Sequence, residues 1–118
     1  MKRDLRERTF GFAVRIVGLC RTLDDTPGAT RTLARQLLRA GTSIGANVEE
    51  AQGSQSRADF VSKCSIACKE AREAHYWLRL LVASGIMPED NMASLLKECD
   101  ELIAILTAVV KKTKSGAK

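Results

Sequence analysis

The strongest constraint on the fold is a row of seven apolar positions: Phe60, Cys64, Ala67, Ala71, Ala74, Leu78 and Leu81. They recur in steps of four and three over three heptads without a miss, and only a helix with one buried stripe satisfies that spacing. Small side chains fill the middle of the row, so this helix is expected to lie close to a neighbour, with Phe60 at one end and Leu78 and Leu81 at the other plugging the bundle. An isolated helix draws most of its stability from packing such a face, so the rest of the chain must supply partners.

The preceding segment supplies one. Leu33, Leu37, Ala40, Ile44, Val48 and Ala51 keep the same period, and two unlike flanks border that stripe. Arg39, Ser43, Asn47 and Glu50 line one side and are expected to join Glu70 and Glu73 in a polar network between helices. Gly41 and Gly45 line the other. Each glycine in a helix interior costs about 1 kcal/mol relative to alanine, so the pair predicts a close backbone approach by a neighbour.

Two further helices complete the set. From Phe10, Ala13, Val14, Val17, Cys20 and Leu23 keep helical spacing; after Pro88, Met92, Leu95, Cys99, Leu102, Leu106 and Val109 do the same. The breaks are explicit. Asp24-Asp25-Thr26-Pro27-Gly28 interrupts the first pair, with Thr26 or Thr30 as candidate caps and Pro27 suited to a first turn. Ser56 and Asp59 resemble a capping box, and Gly85 suits a left-handed helix end. The predicted helices span about 8–23, 29–52, 57–84 and 88–112, with a basic, unstructured tail at 113–118. Loops this short make successive helices antiparallel neighbours, so the expected fold is all-α: an antiparallel, up-and-down four-helix bundle in a single domain.

Composition agrees with this reading. The 118 residues are 45% hydrophobic but only 4% aromatic, which suits a core of aliphatic helices better than a β-sandwich. No stretch reaches the roughly 18 apolar residues that cross a bilayer, and the amino-terminal segment lacks a signal-peptide core. A soluble cytoplasmic protein with no membrane contact is the default expectation. Cys20, Cys64, Cys68 and Cys99 fall on or beside apolar faces. Cys64 and Cys68 share half of a metal-ligand spacing, but without CxxC or a neighbouring histidine the expected role is that of small buried hydrophobes.

The quoted residues also resemble a known family. Gln36-Leu37-Leu38-Arg39-Ala40, Ser43-Ile44, Asn47-Val48-Glu49-Glu50, Ala67, Lys69-Glu70-Ala71-Arg72-Glu73 and Tyr76-Trp77-Leu78 are similar to the four-helix-bundle proteins of 23S rRNA gene intervening sequences. The resemblance runs from about Phe10 to Val110 and departs from the usual pattern at Glu49, where a small residue is common, and at Ala51, where glycine is. It extends to the accessory variability proteins of diversity-generating retroelements. It implies a homo-oligomer, with a pentamer favoured, and in the retroelement branch contact with nucleic acid or its polymerase; many members of the intervening-sequence branch have no established activity.

Catalysis has little support in the sequence. His75 has no nucleophile or carboxylate at a certifying spacing, the Glu-x-x-His motif of carboxylate-metal bundles is absent, and no P-loop or dinucleotide fingerprint occurs. No enzymatic activity, cofactor or metal is expected. Charge is more informative. The net charge is +5, distributed as +5 over residues 1–48, −4 over 49–110 and +4 over 111–118. Arg8, Arg15, Arg31, Arg35, Lys111, Lys112 and Lys114 are the candidates for RNA or DNA phosphate contacts, set against an ordinary solvated surface and an adaptor role toward a protein partner. A second apolar row on the last helix, Leu96, Ile103 and Val110, together with Ile66 and Trp77 on the third, exceeds what one bundle core needs. These five are the candidate oligomer interface.

Overall fold

The computed structural model describes residues 3–116. Four helices form in order: α1 (Arg3–Leu23), α2 (Ala29–Gln52), α3 (Arg57–Ala83) and α4 (Glu89–Lys114). No strand occurs among the described residues. Each helix packs on the next in an up-and-down bundle about 49 Å long and 20 Å across, with α2 and α3 as the most extensively packed pair. α1 and α4, which close the ring, meet along far less of their length.

The seven-position row of α3 lies where its period puts it: Cys64, Ala67, Ala71, Ala74, Leu78 and Leu81 are buried, and Phe60 at the open end is half-buried. On α2, Leu37, Ala40, Ile44, Val48 and Ala51 are buried, joined by Ala34. Met92, Leu95, Cys99, Leu102 and Leu106 complete the core from α4.

The first helix differs from its expected face. Leu5, Phe12, Ile16, Cys20 and Leu23 are buried, while Val14 and Val17 are exposed and Phe10 is 71% exposed. α1 carries two apolar stripes, and the bulkier one wins. The reason lies on α2: Gly41 and Gly45 make a shallow trough there, and the positions of α1 that enter it are Ile16 and Thr9. A methyl group added at Gly41 would lie 2.9 and 3.0 Å from the two γ-carbons of Ile16, and one at Gly45 would lie 3.3 Å from the Thr9 carbonyl oxygen. The glycine pair therefore sets both the spacing of α1 and its rotation. Thr9 is buried without cost in hydrogen bonds, because its hydroxyl donates back to the Leu5 and Arg6 carbonyls at 3.0 and 3.2 Å.

The turns follow local chemistry with two corrections. Ser56 Oγ accepts from the Asp59 backbone N–H at 3.0 Å, capping α3. Gly85, at φ +80°, ends that helix in a Schellman motif, with Ile86 N–H bonded to the Leu81 carbonyl and Gly85 N–H to that of Val82. Neither Thr26 nor Thr30 caps α2; that position belongs to Gly28 at φ +93°, and Pro27 precedes the helix instead of occupying its first turn. The outer limits also move. α1 begins at Arg3 because Leu5 and Thr9 still have neighbours to pack on, and α4 continues through Lys114, so Thr113 and Lys114 are helical; Ala117 and Lys118 of the expected tail lie outside the described residues.

Candidate nucleic-acid interface

The up-and-down path sorts the sequence-predicted cations into separate places. The amino end of α1, the carboxyl end of α2, the amino end of α3 and the carboxyl end of α4 share one end of the bundle. Lys111, Lys112 and Lys114 stand there, exposed in the last turns of α4. Arg31 and Arg35 stand at the other end, roughly 25–30 Å away along α2 by its rise per residue, and are tied to the α1–α2 turn. Arg31 Nε donates to the Asp24 carbonyl at 2.8 Å, and Arg35 Nε lies 3.3 Å from the Asp24 carboxylate.

Arg8 and Arg15 belong to the α1–α4 seam. The Arg8 guanidinium holds Glu98 with two hydrogen bonds, 2.9 and 2.7 Å, and Glu101 with a third at 2.7 Å. Those bonds, that to Glu98 first, raise its pKa further above an already high value. Arg8 is thus paired with two carboxylates of the chain itself. Arg15 donates to Ser94 Oγ at 3.1 Å. These polar links join α1 and α4, the neighbours that meet along the least of their length.

Of the expected polar network, Arg39, Glu70 and Glu73 are brought together: Arg39 Nη1 is 3.4 Å from Glu70, its Nη2 contacts Glu73, and Trp77 Nε1 donates to Glu73 at 3.0 Å. Ser43 and Asn47 stay out of it. Their side chains donate to the α2 backbone, at Arg39 O and Ser43 O, the carbonyls one turn earlier in the same helix. Glu50 pairs with Lys63 at 3.0 Å.

The five candidate interface residues are also divided. Trp77, Leu96 and Ile103 are half-buried against the core, which uses up most of the apolar excess read from the sequence. Val110 is half-buried beside α3, and Ile66 is 39% exposed. A larger exposed apolar face lies on α1, at Phe10, Val14 and Val17.

Two features were missed from sequence. His75 bridges Arg79, which donates to Nδ1 at 3.1 Å, and Asp100, 2.9 Å from Nε2; the partner carboxylate is on another helix, where no spacing rule reaches it. The second is a groove of about 500 Å3 between α3 and α4, lined by Ser65, Cys68, Lys69, Arg72, Thr107, Val110, Lys111 and Lys114. It contains four cations and no carboxylate. The pair Lys69 and Arg72, one turn apart, was the available signal; its meaning depends on α4 placing Lys111 and Lys114 opposite. By contrast, a cleft of about 750 Å3 at the other end is lined by Arg21 and Arg35 but also by Asp24 and Asp25.

The thiols are placed as structural groups. All four cysteines are free and buried. Burial raises the pKa of Cys20 to about 11 and that of Cys99 to about 12, and their S–H groups donate to the Ala34 and Ala71 carbonyls at 3.2 and 3.3 Å.

Comparison with known proteins follows the same outline. The model of the 23S rRNA-intervening sequence protein family matches residues 2–108. The crystal structure of a protein of unknown function from the S23 ribosomal protein family of Bacteroides thetaiotaomicron is similar to this chain at 38% identity, covering 91% of this chain and 98% of that one, with a TM-score of 0.84. No curated protein sequence matches the chain.

Proposed function

The chain belongs to the 23S rRNA-intervening sequence protein family, and from that premise we propose a cytoplasmic, non-catalytic, self-associating bundle that binds nucleic acid through one basic end of the molecule. One observation carries the reading. The fold gathers Lys111, Lys112 and Lys114 at a single end, and none of them makes an ion pair among the described residues, whereas Arg8, Arg31 and Arg35 are held by carboxylates of the chain itself. Uncompensated surface cations are the groups that release counterions on meeting phosphate. Self-association, with a pentamer as the size the family resemblance suggests, would multiply weak contacts of this kind.

The test is binding of labelled RNA and DNA by fluorescence anisotropy across a salt series. Affinity should fall linearly in the logarithm of salt and weaken when Lys111, Lys112 and Lys114 become Ala. No binding at low salt would reject the reading. A second reading, an adaptor for a protein partner, is favoured by the exposed Phe10, Val14 and Val17 face; it predicts capture of a protein by the wild-type chain that is lost when Val14 becomes Asp.

A further inference from the structure

We infer that the α3–α4 groove is a phosphodiester site that takes a single nucleic-acid strand, with Lys69 and Arg72 on one wall and Lys111 and Lys114 on the other. The inference rests on the nucleic-acid reading above and assigns it a place. Charge marks the groove. Four cations face one groove of about 500 Å3, and no carboxylate lines it. Nor does any of the four form an ion pair among the described residues, although carboxylates elsewhere pair with Arg6, Arg8, Arg31, Arg35, Arg39 and Lys63. The helix dipole does not explain the cluster. It favours cations in the last turn of α4, but Lys69 and Arg72 lie in the interior of α3, where the dipole effect has faded.

Hydrogen-bonding capacity marks it as well. Thr107 Oγ1 sits between the walls, 3.4 Å from Arg72 Nη2 and 3.4 Å from Cys68 Sγ. The contact holds one side of the Arg72 fork and leaves its other N–H groups for an oxyanion. Ser65 adds a hydroxyl at the opposite end of the groove. Phosphate oxygens accept from all of these groups at once, and Arg gives them planar, directional donors that Lys does not.

Shape limits the occupant. Lining residues span positions 65–72 of α3 and 107–114 of α4, about 10 Å of each helix. The depression follows the seam of two packed helices for that short length, so it is matched to one sugar-phosphate strand lying along it, not to both backbones of a duplex at once. Its floor, Val110 and Cys68, carries no base-reading donor or acceptor beyond a thiol, so the site binds backbone without sequence preference.

The experiment measures anisotropy of a fluorescein-labelled 12-nucleotide RNA, and of the same strand in a duplex, against the full chain over a salt series starting near 50 mM. The Lys69→Ala/Lys111→Ala pair should lose roughly tenfold in affinity at low salt. Its slope of log affinity on log salt should be shallower by about 1.4, the value for two single-strand phosphates. Thr107→Val should lose a smaller factor, through Arg72. Arg31→Ala/Arg35→Ala, at the far end, should leave affinity and slope as in the wild type, and the duplex should bind more weakly than the strand. Thermal melting of each variant confirms that these surface changes leave the fold intact. Wild-type affinity and slope in the Lys69→Ala/Lys111→Ala pair, with the wild type binding RNA, would overturn the groove and leave the nucleic-acid reading standing. Equal affinity for duplex and strand would overturn the restriction to one strand. No binding by the wild type at all would overturn the nucleic-acid reading itself.

Discussion

Substituting Gly41 by alanine sets two known quantities against each other at one atom. Removing a glycine from a helix interior is worth about 1 kcal/mol in favour of the variant. The new methyl, however, would stand 2.9 Å from Ile16 Cγ1, 3.0 Å from its Cγ2 and 3.3 Å from its Cβ. Carbon atoms rest at about 3.5–4.0 Å. A rotamer change offers no escape, since an isoleucine on a helix has one strongly preferred χ1 and both γ-carbons are involved. α1 must therefore move outward, and overpacking of this kind costs about 1–3 kcal/mol. The expected net loss is about 1 kcal/mol, with the urea midpoint falling and the m-value unchanged.

Gly11 is the control. A methyl group there meets nothing within 4 Å, so Gly11→Ala should gain about 1 kcal/mol. Two second-site variants make the reasoning specific. Ile16→Val keeps both γ-carbons and should not relieve Gly41→Ala. Ile16→Ala removes them, at a cost of about 2–5 kcal/mol, and on that background Gly41→Ala should become stabilising, a coupling of about 2 kcal/mol in the double-mutant cycle. Circular dichroism during urea unfolding measures the six variants against the wild type. If Gly41→Ala stabilises as much as Gly11→Ala, or if its effect is the same in the presence and absence of Ile16, the trough does not fix α1.

Three further outcomes follow from the packing and the charges. A cycle over Arg8→Ala and Glu98→Ala should give a coupling of about 1 kcal/mol that shrinks in molar salt, because this bidentate pair is only partly shielded from water; salt-independent coupling would contradict that. Ellman's reagent should label Cys20 and Cys99 of the folded chain very slowly at pH 8. Both thiols have folded pKa values raised above the unfolded value, so their contribution to stability is complete below about pH 9 and is lost as pH climbs toward about 11 for Cys20 and about 12 for Cys99; replacing Cys99 by Ala should flatten that alkaline loss. Val14→Asp should reduce the mass seen by light scattering, since it places a charge in the most exposed apolar face, whereas Ile66→Asp should reduce it if the flank of α3 that carries Ile66 and Trp77 is the interface instead.

The legible parts of the fold were those in which one stripe had no rival. α3 offers a single apolar row and α4 a dominant one, so period alone fixed their buried faces. α1 offers two, and the choice between Val14 with Val17 and Phe12 with Ile16 is made by two glycines 25 or more residues away in the chain, which no local pattern contains. The candidate groove was half visible for the same reason. Lys111 and Lys114 stand out as a basic run, but Lys69 and Arg72 look like an ordinary solvated face until α4 is laid beside them. Arg8 shows the converse: by composition it is a free cation, and its partners Glu98 and Glu101 lie 90 and 93 positions on.

The unequal closure of the ring also bears on how the molecule comes apart. All four helices contribute to one apolar core, but α1 and α4 meet along far less of their length than the other neighbours do, and Arg8 and Arg15 bridge that seam. Opening that seam admits water to the core without breaking the α2–α3 pair, and it leaves α1 packed on α2 and α4 packed on α3. The two outer helices, α1 and α4, are accordingly the units that part first in the native ensemble; amides along their seam exchange ahead of those of the α2–α3 pair, and raising the ionic strength weakens the Arg8 links that hold the seam closed.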